Sequence, residues 1–416
     1  MISFLSQNAF WIITIVKILL LLFIVLTVNA YLTWFERKLV AHIQSRWGPH
    51  RVGPHGLLQP AADGLKFLFK EDPTPAGVDR FVYYLAPFLA LTLSLTALAV
   101  IPFGPDPINL FGQKIYLWIT NPDIGLLVLF AITALSVYGI ALAGWASNSK
   151  YSLMGGLRSS AQMISYELAL TMSVVGVLLM ANTFSLQGII EAQNNAKWGV
   201  GALGWNVIAW TKNGLLFPQV IGFICFFTSA IAETNRAPFD LPEAESELVA
   251  GFHTEYASFK FAMFFIAEYT AMITVSCLAT ILFFGGWLSP FPATSVWTFT
   301  HYIPSITLIP FGLWVIYDGI KYETIFGKLV LPAVGFAMFA IGSGLIAFPA
   351  VNEFIQPVFW FTAKIFVFLF FYVWARGTLP RLRYDQLMNV GWKLLLPVSI
   401  ANVIFTAGII LLRSHS

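Results

Sequence analysis

Residues 10–32 read FWIITIVKILLLLFIVLTVNAYL, an apolar run whose only charged side chain is Lys17. A helix needs about 20 such residues to cross roughly 30 Å of hydrocarbon. Further runs of this length, or nearly so, predict spans at 81–103, 123–146, 162–181, 215–233, 259–284, 329–350, 355–375 and 394–412, with a shorter candidate half-span at 303–317. The sequence therefore predicts an all-α polytopic membrane protein, a single transmembrane domain over 1–416.

Composition points to the same class. The chain is 58% hydrophobic and 10% charged, with a mean hydropathy of +0.77, whereas soluble domains carry about 25% charged residues. The first span has no basic leader and no small-residue cleavage site, so we expect no cleaved signal peptide. Cys225 and Cys277 lie in separate apolar runs, without a CxxC motif. We therefore expect no iron–sulfur cluster, thiolate zinc site, haem attachment or other metal site in this chain.

The distribution of basic residues sets the predicted orientation, because cytoplasmic loops are enriched in Lys and Arg. With both termini on the periplasmic side, 17 of the 23 basic residues fall in inside loops. The remainder are two within spans, Lys17 and Lys364, and four outside: Lys114, Lys197, Lys212 and Arg413. This count requires residues 303–350 to form a paired insertion, a transmembrane hairpin. It places the inside loops on the cytoplasmic face of a bacterial inner membrane.

An acidic segment, ETNRAPFDLPEAESE, runs from Glu233 to Glu247 between two apolar runs. Six of the 20 Asp and Glu residues lie between positions 233 and 255, within a predicted cytoplasmic loop at 233–258. Glu243 and Glu247 share one face if a helix restarts after Pro242. One interpretation is therefore an acidic helix start on a solvated face. The other is a functional site, because buried carboxylates bind protons whose occupancy can be coupled to other events.

Two carboxylates inside apolar runs favour the functional interpretation. Glu268 lies well within the run at 259–284, and Glu167 lies about five residues into a helix that we expect to start near Gln162. An ionisable side chain inside a span is a functional candidate by default. A proton relay would use the carboxylates that fall toward the inner half of the membrane, namely Glu36, Glu167, Glu233, Glu243, Glu245, Glu247, Glu255 and Glu268.

The first inside loop, residues 36–80, combines charge with closely spaced Gly and Pro. Its segment RWGPHRVGPHGLLQPAAD (46–63) cannot form a regular helix and predicts a stiff irregular loop packed against other protein. Helical spacing resumes from Leu57 to Phe69, with one apolar and one charged side, which predicts an amphipathic helix in the plane of the membrane interface. For Lys70 and Arg80 a positive-inside loop is the better explanation, but topology alone does not require so many closely spaced Gly and Pro residues, so we favour a function for the Arg37–Asp63 region.

Four segments together carry a resemblance to one family. They are ERK (36–38), RWGPHRVGPHGLLQPAAD (46–63), ETNRAPFDLPEAESELVAGF (233–252) and RGTLPRLRYDQLM (376–388). The chain resembles the quinone-site membrane subunit of proton-pumping NADH:quinone oxidoreductase, respiratory complex I. The segments are spread over most of the chain, and their specificity is joint, since the basic segment 376–388 alone fits a positive-inside anchor as well as a binding role.

The resemblance implies a fold of about eight spans at the junction of the hydrophilic and membrane arms. The chain would form part of the quinone tunnel and couple quinone reduction to proton translocation, without being catalytic alone. Quinone is then the substrate, bound near Arg37, Arg46, Ala62, Asp63 and Phe239. The implied proton path toward the antiporter-like subunits comprises Glu36, Glu167, Glu233, Arg236, Asp240, Glu243, Glu245, Glu247 and Glu268. Iron–sulfur clusters and FMN are expected in partner subunits, and the partners are these subunits, quinone and membrane lipid, with no nucleic acid.

The segment 303–350 departs from the family pattern as an extra hairpin. Its Asp318, Lys321 and Glu323 either touch another subunit or cap the hairpin. Two other functions remain open at this point. One is the equivalent subunit of a membrane hydrogenase or a quinone oxidoreductase with another electron donor. The other is a proton- or cation-coupled secondary transporter, which would show an inverted repeat that the 1–180 and 215–412 halves lack.

Overall fold

A computed structural model describes residues 9–105, 107–110, 113–194, 201–208, 219–240, 250–291 and 295–414. Thirteen α-helices and one pair of short strands occupy these ranges. In chain order they are α1 (Ala9–Ile43), α2 (Gln59–Phe69), α3 (Arg80–Ala97), β1 (Ile108–Leu110), β2 (Gln113–Ile115), α4 (Gly125–Ala146), α5 (Lys150–Ala181), α6 (Leu186–Asn194), α7 (Val220–Glu233), α8 (Ser258–Phe283), α9 (Ile303–Lys321), α10 (Ile325–Ala347), α11 (Pro349–Thr378), α12 (Tyr384–Asn389) and α13 (Leu396–Ser414).

The described residues confirm the all-α polytopic prediction. Nine of their helical segments are long and apolar enough to cross a membrane: α1, α3, α4, α5, α8, α9, α10, α11 and the continuous stretch Tyr384–Leu412, in which a π-helical turn at Val390–Leu395 joins α12 to α13. The described part of α7 is a shorter apolar helix of 14 residues. The strands β1 and β2 form one antiparallel hairpin, with Asn109 opposite Lys114.

Helix α8 lies at the centre of the bundle. In its apolar stretch 78% of the residues are buried, whereas only 6% are buried in that of α1. It packs against α3 on one side and α11 on another, while α5 packs against α4, α7 and α13. Helix α1 therefore lies at the periphery of the bundle with most of its apolar surface exposed, and α8 supplies the interior wall on which functional side chains can be placed.

Two helix boundaries differ from the sequence prediction. Helix α1 continues to Ile43, so Glu36, Arg37 and Lys38 lie on its last turns and not in a loop. Helix α5 begins at Lys150 instead of near Gln162, which makes Glu167 a mid-helix residue. The early turns of α5 pack closely, since a Cβ on Gly155 would lie 2.7 Å from the Gly251 Cα. These packing contacts stabilise helix that hydropathy does not reveal.

The insertion consists of two antiparallel helices, α9 and α10. The expected half-span at 303–317 is wrong in length, because α9 has 19 residues and packs along α10. The two backbones meet at Gly312 and Gly335, where a Cβ on either residue would lie within 2.7 Å of the other's carbonyl oxygen. Small residues permit this close approach of membrane helices. Asp318 lies near the loop end of the hairpin.

The amphipathic helix expected between Leu57 and Phe69 is α2, which starts at Gln59. Its apolar residues Leu65, Leu68 and Phe69 are 56%, 66% and 86% exposed. On a helix of 11 residues this surface suits the membrane interface and not a buried core. The preceding 46–58 segment is irregular, as its Gly and Pro content predicts.

Candidate functional site

Charged residues from four distant parts of the chain meet at one point of the bundle. The Arg236 guanidinium, in the loop after α7, places Nη1 3.8 Å from Glu36 Oε1 and Nη2 3.6 Å from Glu268 Oε2. Arg376, near the end of α11, also pairs with Glu36. The Tyr269 hydroxyl donates to Glu36 Oε2 at 2.7 Å. We call Glu36, Arg236, Glu268, Tyr269 and Arg376 the ion-pair cluster.

The ion-pair cluster is largely withdrawn from solvent. The side chains of Glu36, Arg236 and Glu268 are 8%, 7% and 11% exposed. The Arg236 guanidinium carbon lies 4.3 Å from the centre of the Tyr269 ring, a cation–π distance. Two carboxylates and two guanidinium groups balance in formal charge. Removing one member of such a buried set leaves an uncompensated charge, which is strongly destabilising.

The loop that carries Arg236 is fixed by side chains of α5. Gln162 Nε2 donates to the carbonyl oxygens of Ala232 at 2.8 Å and Phe239 at 2.9 Å. Asn235, at φ +49°, donates from Nδ2 to Ser159 Oγ at 3.0 Å. These bonds hold both ends of the 232–239 turn against one helix, so the position of the guanidinium is determined by the scaffold.

The same loop is joined to the segment between α11 and α12. Arg381 Nη2 lies 3.3 Å from Asp240 Oδ2, and the Leu382 amide donates to the Pro238 carbonyl at 3.0 Å. Phe239 packs edge-on against Tyr166 with ring centres 5.5 Å apart. Asp240 therefore links the loop after α7 to the segment after α11, and Phe239 is a packing residue.

A cavity of about 880 Å³ opens beside the ion-pair cluster. Its walls come from α1, the 46–49 loop, α2, α8 and the end of α11. Glu36, Tyr269 and Arg376 of the cluster line it, together with apolar side chains such as Leu26 and Phe265. The large cavity thus combines an apolar body with a charged inner wall, the composition typical of small-molecule sites.

Three of the five predicted quinone residues line the large cavity. They are Arg37, Arg46 and Asp63. Arg37 Nη1 lies 2.5 Å from Asp63 Oδ2, and Gln59 Nε2 donates to Asp63 Oδ1 at 2.9 Å. This pair ties α1 to α2 at the cavity wall. Ala62, on α2, and Phe239 lie away from the lining.

The start of α8, which supplies another cavity wall, is anchored to α2 and α3. Ser258 Oγ donates to the Phe67 carbonyl at 2.6 Å. Lys260 Nζ lies 3.1 Å from Asp72 Oδ1 and 4.5 Å from the centre of the Tyr83 ring. Tyr256 stacks on that ring at 4.3 Å, and burial raises the pKa of its phenol.

Two small cavities lie behind the ion-pair cluster. One of about 50 Å³ is lined by both Glu233 and Glu268, and one of about 30 Å³ is lined by Glu233 and Thr274. Each is lined mainly by apolar atoms, with the Glu233 carboxylate and hydroxyl groups such as that of Ser94 as polar contacts, and each has room for a water molecule. Ion pairs join Glu36, Arg236 and Glu268, and Glu268 and Glu233 line the same cavity, so these four residues form one connected region. Glu167 lies on α5.

The predicted site and the observed site differ in several residues. Glu243, Glu245 and Glu247 lie outside the described residues. Sequence reasoning left Tyr269 and Arg376 without a site role, although both belong to the ion-pair cluster. Tyr269 adjoins the intramembrane Glu268, and Arg376 opens the last motif, so both carried a signal. Across the described ranges, the His, Cys, Asp and Glu side chains form no group of three or more suited to a metal ion.

Comparison with known proteins agrees with the motifs. The family model NADH dehydrogenase matches residues 16–407. An H subunit of the NADH-quinone oxidoreductase of Solibacter usitatus, the one numbered 1, is 50% identical over 399 residues, which cover 96% of this chain and 97% of that protein. The H subunit numbered 2 of the NADH-quinone oxidoreductase of Koribacter versatilis is 45% identical over 422 residues, 98% of this chain and 99% of that protein.

These matches confirm the resemblance drawn from the four sequence segments. They extend across the spans, the inside loops and the α9–α10 insertion, since almost the full length of both relatives is aligned. The chain therefore belongs to the NADH dehydrogenase family, and within it to the H subunits of NADH-quinone oxidoreductase.

Proposed function

We propose that this chain forms part of the quinone-binding tunnel of an NADH-quinone oxidoreductase and couples quinone reduction to proton translocation. The observation that carries the proposal is the shared wall between the large cavity and the ion-pair cluster. Glu36, Tyr269 and Arg376 belong to both. A reaction that changes charge in the cavity would therefore act directly on a buried set of carboxylates.

The large cavity suits a quinone. About 880 Å³ is within the range of small-molecule sites, and its walls include Leu26, Val40, Phe265 and Ile266. An isoprenoid tail is apolar, so these walls would hold it by burial. The headgroup carbonyls accept hydrogen bonds, and Arg37, Arg46 and Arg376 supply donors in the lining. Ala62 and Phe239 would support the site from behind the wall.

The proton path would begin at the ion-pair cluster. Quinone reduction consumes protons, and a charge change in the cavity would alter the pairing of Glu36 with Arg236 and Arg376. Glu268 shares Arg236 with Glu36, so its proton occupancy would shift in turn. Water in the cavity between Glu268 and Glu233 would extend the path to Glu167. Asp240, Glu243, Glu245 and Glu247 would continue it in the acidic segment.

The chain would act within a larger assembly. Electrons would come from NADH through FMN and iron–sulfur clusters in partner subunits of the hydrophilic arm, and protons would pass to antiporter-like membrane subunits. The location would be a bacterial inner membrane, with periplasmic termini and cytoplasmic motif loops. The excess of Lys and Arg in those loops supports this orientation.

Filling the large cavity tests the quinone assignment. Ala30 lines the cavity on α1, and Ala30→Trp would occupy part of it. We expect the quinone KM of the assembled complex to rise by about tenfold or more, because the bulky ring would exclude part of the ligand, with NADH oxidation by a water-soluble acceptor unchanged. Ile24→Trp is the matched control, because Ile24 lies on the same helix and is 48% exposed. Equal quinone KM values in both variants would contradict the assignment.

A further inference from the structure

The loop end of the inserted hairpin touches the irregular loop beside the large cavity. Asp318 Oδ2 lies 2.7 Å from His55 Nε2. The Tyr322 hydroxyl accepts a hydrogen bond from the His55 amide at 3.0 Å, and the two rings meet edge-on at 5.3 Å. The insertion therefore contacts His55, in the 46–58 segment, through both the side chain and the backbone of that residue.

His55 is also held from the opposite side. Its carbonyl oxygen accepts hydrogen bonds from Lys38 Nζ at 2.9 Å and Trp34 Nε1 at 3.3 Å, both from α1. Its backbone has φ +51°, between Gly53 at +72° and Gly56 at +77°. A non-glycine residue in this region is strained and persists only where its surroundings determine it. The contacts from α1 and from the hairpin hold His55 in this backbone conformation.

His55 is linked to the cavity wall through its neighbour Gly56. A Cβ on Gly56 would lie 2.3 Å from the Pro49 carbonyl oxygen, so these two backbones are in tight contact. Pro49 lines the large cavity, as does Gly48. Lys38 Nζ, which holds His55, also lies 3.5 Å from the Pro49 carbonyl. A shift of His55 would therefore move this part of the wall.

The hairpin is suited to act as a fixed support. In addition to the Gly312–Gly335 contact, a Cβ on Gly319 would lie 2.5 Å from Pro332, so α9 and α10 interlock close to Asp318. Interlocked helices of this kind move as one unit. Lys321 contacts Tyr317 on its own helix, whereas Asp318 and Tyr322 hydrogen-bond to His55.

We propose that the α9–α10 hairpin is a clamp on the quinone site. Asp318 and Tyr322 are positioning residues that hold His55 and, through Gly56 and Pro49, set the width of the large cavity. The clamp deepens the proposed quinone function and rests on it. It assigns the insertion a role within this chain.

Asp318→Ala and Tyr322→Phe in the purified, assembled complex test the clamp. We expect faster hydrogen exchange of backbone amides at 50–57 and a roughly two- to tenfold rise in quinone KM, the range for loss of one hydrogen bond, with kcat within about twofold. Asp318→Asn keeps an oxygen acceptor for the imidazole and should restore much of both readouts. Lys321→Ala, at the same end of the hairpin, should change neither.

The outcomes separate the clamp from the quinone assignment. Unchanged exchange at 50–57 in Asp318→Ala would overturn the clamp, and so would faster exchange with an unchanged quinone KM. If Ala30→Trp leaves the quinone KM unchanged while Asp318→Ala speeds exchange, the quinone assignment fails but the mechanical contact stands. A raised KM in Lys321→Ala equal to that in Asp318→Ala would also overturn the clamp.

Discussion

Arg236 Nη2 lies 3.6 Å from Glu268 Oε2, which joins the loop after α7 to the interior of α8. The same guanidinium is 3.8 Å from Glu36 at the end of α1. One side chain therefore connects a carboxylate on the wall of the large cavity with a carboxylate on the wall of a water-sized cavity. This geometry makes Arg236 the central residue of the proposed coupling.

Neutralising Arg236 should lower quinone reduction sharply. Arg236→Gln keeps a polar side chain but leaves Glu36 and Glu268 without their shared positive charge. We expect a loss on the order of tenfold or more in the rate of the assembled complex, equivalent to about 1.4 kcal/mol or more. Arg236→Lys keeps the positive charge but cannot contact both carboxylates as a guanidinium does. Its rate should lie between those of the wild type and Arg236→Gln. A Gln variant with the wild-type rate would rule out the role of Arg236.

Gln162 should be required for the position of the Arg236 loop. Gln162→Leu removes the bonds to the Ala232 and Phe239 carbonyls and leaves both buried acceptors without this donor. We expect a cost of about 2 kcal/mol and faster hydrogen exchange at 234–240. Gln187→Leu is the control, since Gln187 bonds to Asn121 and Glu191 away from this loop. Equal exchange in both variants would contradict the assigned role.

Lys364 should stabilise the C-terminal end of α8. Its ammonium donates to the carbonyl oxygens of Phe284, Gly286 and Leu288 at 2.7, 2.8 and 2.7 Å. A cation at a helix C-terminus is favourable, and loss of three bonds should cost about 3 kcal/mol or more. Lys364→Met should therefore lower the thermal midpoint of the purified complex.

The comparison for Lys364 is Lys17→Met. Lys17 also lies within a span but donates to a single carbonyl, that of Trp118 at 3.3 Å. Its loss should lower the midpoint distinctly less. If the two methionine variants have the same midpoint, the three carbonyl bonds do not account for the stability of this helix end.

The sequence predicts the spans well because hydrocarbon requires long apolar helices, and hydropathy reports that requirement directly. It misses the polar ends of α1 and α5. At α5 the helix continues beyond the apolar run because side chains such as Ser152, which donates to the Phe252 carbonyl, pack it against the turn that precedes α8. Such contacts join residues far apart in the chain, so they cannot be predicted from local hydropathy.

The site was partly accessible from sequence. Glu268 and Arg236 could be singled out because a charge inside or beside a span needs a partner. Arg376 could not be distinguished from a positive-inside anchor, because topology alone places arginines in that loop. The contact between His55 and Asp318 could not be predicted from the sequence either. Both pairings depend on how distant helices pack, and the roles of Glu243, Glu245 and Glu247 stay predictions.

The most direct test of the coupling uses Glu268→Gln in the assembled complex, reconstituted into proteoliposomes. The quantity measured is the number of protons translocated per quinone reduced. The substitution removes one of the two carboxylate charges that pair with Arg236, while the residues that line the large cavity are retained. We predict a complex that still binds and reduces quinone, at a lower rate and with fewer protons translocated per quinone. Wild-type rate and wild-type stoichiometry in an assembled Glu268→Gln complex would contradict the account.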